Sequence, residues 1–396
     1  MRSSYYMHRS VFRGNSAASR ISNTSVVDLL FYAFLFIVVL LSTLGLTAGS
    51  RLYVGSVALG ALFAVTRIVT QRYDRRSLMA VILLTALGVV ELLVSKRVTL
   101  LLTALLLIGA RGLEVRGVLG TFLAAKIVGL LLMAALVATG VFGVEQYSYF
   151  KMGSGEYITR VHINGSGTTT LHLSFLAIWF LYFYLRRGKA GAGAYLVFAV
   201  GNLFMYRLTG SYLGFALGYG SVAIFLLAQV WGGFRRLLVR ISTWILPMLL
   251  LFSFGTAVLY GNSFVADLDR LFQGRIYYNR YFLGNYPFSF FGRGMLSDEG
   301  NFDNSYVFVW VCYGAVTFVA LFGAMQKRMS QLKADGDWVA ICLVAVYLVA
   351  AVSESFYPAA AVNPSLFLLT PLLDSKTPIK INRECSVAPR GRGASE

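Results

Sequence analysis

Apolar runs follow one another along almost the whole chain, separated by short polar breaks. They cover residues 26–46, 52–69, 78–95, 98–110, 117–141 and 169–185 in the first half. In the second half they cover 194–208, 211–231, 241–260, 305–325, 338–356 and 359–373. Most approach the roughly 20 residues that a helix needs to cross about 30 Å of hydrocarbon. Helices satisfy their own backbone groups in lipid. The pattern therefore predicts an all-α, polytopic integral membrane protein with about 12 transmembrane helices. The run at 98–110 is barely long enough. The last run begins beside Pro358, contains Pro364 and Pro371, and reads as broken or re-entrant.

The polar breaks are unequal. Two are long, at 145–168 and 261–304; most others are short turns. Alternate breaks collect positive charge: Arg72, Arg75 and Arg76; Arg111 and Arg116; Arg186, Arg187 and Lys189; Arg235, Arg236 and Arg240; Lys327, Arg328 and Lys333. Most of the breaks between them are poor in it, with Arg51 alone in one and Lys96 and Arg97 in another. Positive charge marks cytoplasmic loops, so both termini are expected inside and both long loops outside. This divides the chain into a cytoplasmic tail (1–25), one membrane domain (26–373) and a second cytoplasmic tail (374–396). The first apolar run lacks a small-residue cleavage site and reads as an uncleaved span. No internal repeat is visible.

Composition sharpens this picture. The chain has 396 residues, of which 57% are hydrophobic and 13% charged; a soluble domain carries nearer to a quarter charged. In a soluble protein a net charge of +18 would suggest nucleic acid. Here the inside loops account for it, and no nucleic-acid partner is expected. Cys312 and Cys342 lie in apolar runs and Cys385 in the tail, a pattern of packing rather than of disulfides. P-loop, dinucleotide-binding and zinc spacings are absent, so neither cofactor nor metal is expected. Asp267-Leu-Asp269 has the spacing of a metal-dependent glycosyltransferase pair, but reads better as an acidic pair starting a helix.

Candidate chemistry concentrates in the external breaks. The first long loop holds Arg160, His162 and Asn164 before Gly165 and Gly167. This is either a plain glycine-rich loop or an anion site, with Arg160 on a phosphate and His162 as proton acceptor. Arg207, at the end of its run, precedes the tight turn Thr209-Gly210-Ser211, where a positive charge works against the orientation signal. The second long loop carries Arg270, Arg275, Arg280 and Arg293 and no lysine. Guanidinium groups grip phosphate in a bidentate manner that lysine cannot copy. Tyr277, Tyr278, Tyr281 and Phe282 fit either an interfacial belt or platforms for sugar rings. Lys126 lies about 14 Å into its run at 1.5 Å per residue, with Glu91 as its expected partner.

In order and motif the chain resembles the Wzy-type polysaccharide repeat-unit polymerases, relatives of the O-antigen ligases. Many spans come first, then Arg160-x-His162-x-Asn164-Gly165, then Arg207-Leu-Thr-Gly-Ser211. Gly274-Arg275-Ile276, Phe291-Gly292 and Asp303-Asn304-Ser305-Tyr306 follow, leading into a span with Tyr313-Gly314. The resemblance covers roughly residues 145–325. The family's His-Pro-Asn is His162-Ile163-Asn164 here, and Phe-Gly is extended by Arg293-Gly294. The resemblance implies an enzyme of the bacterial cytoplasmic membrane, metal-independent, acting on undecaprenyl-diphosphate-linked oligosaccharide. It would transfer the growing glycan to a sugar hydroxyl of the next lipid-linked repeat at the outer face. It implies Arg207 and Arg275 on the donor diphosphate and His162 or Asp303 on the acceptor hydroxyl. Arg160, Asn164, Arg280, Arg293 and Tyr278 would bind diphosphate or sugar. Chain-length regulators and export proteins are implied partners. An O-antigen-type ligase with the same donor is the nearest alternative. A lipid-linked oligosaccharide flippase, from another class, is disfavoured by the lack of a repeat and by sparse charge within the runs.

Overall fold

The computed structural model describes residues 25–46, 50–151, 156–164, 167–294 and 302–374. Apart from Ser25 and Asp374, both expected tails lie outside the described residues, as do Gly165 and Cys385. The chain begins with α1 (Val26–Thr43), α2 (Arg51–Thr70), α3 (Arg75–Ser95), α4 (Thr99–Ala110) and α5 (Val115–Ala138). Ser25 and Asp28 form a reciprocal capping box at the start of α1, and Asp74 caps α3. A hairpin of β1 (Val144–Lys151) and β2 (Glu156–Ile163) follows. Next come α6 (Thr168–Leu185), α7 (Ala192–Thr209), α8 (Tyr212–Val230) and α9 (Gly232–Val258). Two short helices, α10 (Ser263–Leu271) and α11 (Arg275–Asn285), fill the second long break. A helix start α12 (Ser305–Phe308) runs through a π turn at Val309–Tyr313 into α13 (Gly314–Asp335). The chain then forms α14 (Trp338–Ala350) and a 3₁₀ helix at Pro364–Leu373.

This is a helical membrane protein, with two corrections to the sequence expectation. First, seven helices among the described residues, rather than about 12, are long and apolar enough to cross a bilayer. Length follows place in the bundle. The long helices face lipid: α2 exposes Leu52, Leu59, Leu62 and Val69, and α9 exposes Trp244, Met248, Leu251 and Val258. Such a surface is untenable in water and natural in hydrocarbon. The short apolar segments sit inside, where neighbouring helices rather than lipid enclose them. At 1.5 Å per residue, α4 with its 12 residues rises only about 18 Å, yet it is buried nearly throughout. The 3₁₀ helix is also buried, and the turn before it packs on α4: Thr103 Oγ1 donates to Pro358 O (2.7 Å) and accepts from Ala360 N (3.0 Å).

Second, the fold is not purely α. The 145–168 loop is largely the antiparallel hairpin, with Glu145 opposite His162 and Tyr147 opposite Arg160. Aromatic and β-branched residues on both strands suit a ribbon, and Gly143 and Asn164 close its base through Asn164 N to Gly143 O (3.3 Å).

The expected grouping of basic loops appears at one end of the bundle. Arg111 joins Asp374 through Nε (2.8 Å) and donates to Arg72 O (3.2 Å). Arg235 lies over Trp338, which packs on Gly188, and Lys333 reaches Thr243 (3.3 Å). The hairpin, α10 and α11 occupy the opposite end. Within the bundle Lys126 and Glu91 do not pair. Lys126 Nζ donates to Ser174 Oγ (3.1 Å) and lies over Phe122, while Glu91 Oε1 accepts from Thr317 (2.6 Å). The helices that carry them, α5 and α3, present these side chains to different neighbours.

Candidate functional site

The site is assembled where α10 turns into α11. Gln273 and Gly274 both adopt left-handed backbone (φ 56° and 84°), which reverses the chain sharply. Asp269, buried at the end of α10, fixes the far side of that turn. Its Oδ1 accepts from Ile276 N (2.8 Å) and Tyr277 N (3.3 Å), the unpaired donors of the first turn of α11. Asp269 is thus a helix anchor, and Asp267 pairs with exposed Arg270; the Asp-x-Asp spacing is structural. Tyr260 donates its hydroxyl to Asp269 Oδ2 (3.3 Å). Burial first, and then the neighbouring carboxylate, raise the Tyr260 hydroxyl above its ordinary range, so it remains a donor.

This turn delivers Arg275 into the protein, with only 7% of its surface exposed. Its Nε donates to Ser353 O (3.0 Å) and its Nη2 to Glu354 Oε1 (3.4 Å). Asp303 Oδ2 lies 3.5 Å from Nε, a charge contact. Nη1 has only longer contacts, to Phe272 O (3.4 Å) and Gln273 Oε1 (3.5 Å). Two residues singled out in the sequence, Arg275 and Asp303, therefore meet.

The neighbours of Asp303 explain its placement. Asn304 caps α12 by accepting from Tyr306 N (2.9 Å) and Val307 N (3.2 Å), and its Nδ2 donates to Ser253 (3.0 Å) on α9. Ser305 donates through its backbone N to Ala351 O (2.8 Å) and through its hydroxyl to Glu354 O. Tyr306 donates its hydroxyl to Leu348 O (2.8 Å). The Asp-Asn-Ser-Tyr stretch is a clasp that holds the post-α14 turn, with Ser353 and Glu354, against Arg275.

The glycine motifs are a second clasp. Gly292 (φ 68°) and Gly314 (φ 77°) cross so closely that a Cβ on Gly292 would fall 2.0 Å from Cys312 O. Backbone bonds lock the crossing: Arg293 N to Cys312 O (3.1 Å), Ala315 N to Ser289 O (3.0 Å) and Val316 N to Phe290 O (3.1 Å). Phe291-Gly292 and Tyr313-Gly314 are therefore the two halves of a close backbone crossing.

Arg275 also lines a cavity of about 920 Å³ between α8, α9 and α14. Its wall is mostly apolar, with Ile241, Ile245, Leu249, Phe252, Ile341 and Val346 among its residues, and Arg275 is the charged residue in that wall among the described residues. Thr169, just beyond the hairpin, and Ser211 and Tyr212, just beyond Arg207, line it too. Residues next to all three polar segments thus line one cavity.

The remaining candidates are placed less closely. Arg207 is exposed on the last turn of α7, ahead of Gly210 (φ 62°) and the cap Ser211. Arg280 is exposed and donates to Tyr260 O (2.6 Å). Arg293 donates to Pro287 O (2.6 Å) and lies over Tyr286. Tyr278 belongs to a ring cluster with Tyr277 and Phe282. His162 is half-buried on β2, and Asn164 Nδ2 donates to Leu44 O (3.3 Å), a tie of the hairpin to the end of α1.

Two groups escaped the sequence reading. Hydropathy merges Ser353 and Glu354 into a continuous run over 338–356, but α14 stops at Ala350. The signal was present: between Asp337 and Asp374, Glu354 is the single charged residue, and a charge in an apolar run marks a site. The other is His172, fully buried in the first turns of α6. Its Nε2 meets Asn202 Oδ1 (2.9 Å) and its Nδ1 meets Thr209 Oγ1 (3.2 Å). Asn202 Nδ2 donates to Phe215 O (3.2 Å), which orients its Oδ1 toward the ring. This network joins α6, α7 and α8 beneath the turn that follows Arg207.

No family model, curated protein or solved structure matches the chain. Fold and site define its class: a helical membrane protein with an arginine–carboxylate cluster at the wall of a large apolar cavity.

Proposed function

We propose that the protein is a polymerase of polysaccharide repeat units carried on a lipid diphosphate, acting at the outer face of a bacterial cytoplasmic membrane. The observation that carries this reading is the junction of Arg275, Asp303 and Glu354 with the 920 Å³ apolar cavity. A lipid-linked sugar has both natures in one molecule. Its polyisoprenoid tail is drawn to the apolar wall, and its diphosphate to guanidinium groups.

In this reaction Arg275, with Arg207 at the rim, neutralises the donor diphosphate. The hydroxyl of the incoming lipid-linked repeat passes its proton to a carboxylate, for which Asp303 is positioned. The hydroxyl oxygen bonds to the anomeric carbon of the growing chain, and the bond from that carbon to the diphosphate oxygen breaks. The electron pair leaves with the lipid diphosphate. Charge on the leaving group is met by preorganised guanidinium donors in a site partly withdrawn from water, where such contacts are strongest. His162, on the hairpin beside α6, serves the acceptor side.

The long interruptions and the hairpin face outward in this reading, and both termini lie in the cytoplasm, as the distribution of basic loops supports. Reconstitution with purified lipid-linked repeats tests the activity. A ladder of lengthened glycans with release of lipid diphosphate is expected. A single transfer to a lipid core makes the protein a ligase, and no transfer defeats the reading.

A further inference from the structure

We infer that Arg275 is a switch between two anionic partners: the donor diphosphate displaces Asp303 from it and thereby releases Asp303 to act on the acceptor. This rests on the proposed polymerase reaction and adds an order to it.

The contacts of Arg275 are unequal. Nε donates to Ser353 O at 3.0 Å, and Nη2 donates to Glu354 at 3.4 Å. Asp303 stands 3.5 Å from an Nε whose proton already points to Ser353 O, so its contact is one of charge without a hydrogen bond. The Asp303 side chain is also the more exposed of the two carboxylates, at 30% against 17% for Glu354. Glu354 is held from behind, because Ser305 donates to its backbone carbonyl and fastens the turn. Glu354 and Ser353 are therefore the fixed seat of the guanidinium, and Asp303 is the removable partner.

The Nη1 edge lies beside residues of the cavity wall. Nη1 is bound only by contacts of 3.4 and 3.5 Å to Phe272 O and Gln273 Oε1, and Phe272, Gln273 and Arg275 all line the cavity. A diphosphate arriving with its tail in the cavity meets Nη1 first. It brings more negative charge than one carboxylate and can accept two parallel hydrogen bonds from the guanidinium. Two anions then compete for one cation, and the one without a hydrogen bond yields. Before the donor binds, Asp303 is engaged and the acceptor has no proton acceptor there. After it binds, Asp303 turns to the acceptor hydroxyl and takes its proton as the anomeric carbon–oxygen bond forms. Glu354 is a positioning residue in this scheme.

The test is the affinity of full-length, detergent-solubilised protein for farnesyl diphosphate, with inorganic pyrophosphate in parallel to separate headgroup from tail. Asp303→Asn removes the competitor while keeping shape. It should bind the prenyl diphosphate roughly twofold to fivefold more tightly, the worth of one partly exposed ion pair, while losing polymerisation. Asp303→Ser is the second variant, in case the amide disturbs the clasp, and should show the same gain. Equal or weaker binding in both Asp303 variants, with wild-type binding intact, overturns the exchange and leaves the polymerase reading standing. No binding by wild type removes both.

Discussion

Replacing Arg275 by lysine keeps the charge and removes the fork. Arg275 now directs separate N–H groups at Ser353 O (3.0 Å), at Glu354 Oε1 (3.4 Å) and, through Nη1, at Phe272 O (3.4 Å). One ammonium cannot meet acceptors in all three directions, so at least one buried acceptor on the post-α14 turn loses its donor. An unmet buried acceptor costs about 1–3 kcal/mol, which should appear as a lower melting midpoint in detergent. The effect on the reaction is separate. If the lysine amine stays with Glu354 and Ser353, the leaving diphosphate loses one charge-assisted hydrogen bond, worth about 1.5–3 kcal/mol. At about 1.4 kcal/mol per tenfold, turnover should fall by roughly one to two powers of ten. The assay is the rate of lipid diphosphate release from lipid-linked repeats by purified protein, with melting followed on the same sample. Wild-type turnover and unchanged melting in Arg275→Lys would refute the bidentate argument.

Three further outcomes follow from the packing. Gly292→Ala places a Cβ 2.0 Å from Cys312 O at a left-handed φ of 68°; since overpacking costs roughly 1–3 kcal/mol, thermal melting should show a clear loss of stability. Asp269→Ala removes the anchor of α11, a change of about 1 kcal/mol for a lost cap; turnover should fall with little change in expressed protein, because Arg275 begins that helix. Lys126→Met replaces a buried cation whose hydrogen-bond partner is the neutral Ser174. Apolar replacement of buried ionic groups is often neutral or stabilising, so melting should be unchanged or raised and polymerisation retained.

The parts of the fold legible in the sequence are those set by local chemistry. Apolar runs at 26–46, 78–95 and 117–141 become α1, α3 and α5, because continuous hydrophobicity and helix formation are the same requirement in lipid. The left-handed Gly274 before Arg275 and the cap Asn304 after Asp303 are visible as motifs, since turns and caps demand particular residues. What stayed hidden depends on distance along the chain. Glu354 lies 79 residues beyond Arg275, and hydropathy absorbed it into a span that ends at Ala350 instead. Hydropathy also equates a short interior helix such as α14 with a full crossing, because it registers apolarity and not which neighbours provide the apolar surroundings. The β1–β2 hairpin has a local signal in the alternating Tyr157-Ile-Thr-Arg-Val-His-Ile163, but the run is short and glycine-flanked, so it also fits a plain loop. The Lys126–Glu91 pairing failed for a plainer reason. Each found a hydroxyl partner instead, Ser174 on α6 and Thr317 on α13.

In the proposed reaction a lipid diphosphate lies with its tail in the cavity between α8, α9 and α14 and its headgroup at Arg275. Photocrosslinking tests it most directly, using a prenyl diphosphate with a light-activated group on the tail and mapping the labelled peptides in full-length protein. Labels should fall on the cavity wall, around Leu249, Phe252 and Ile341, and should disappear in Arg275→Ala. Labels confined to the outer faces of α2 and α3, or unchanged by Arg275→Ala, would contradict it.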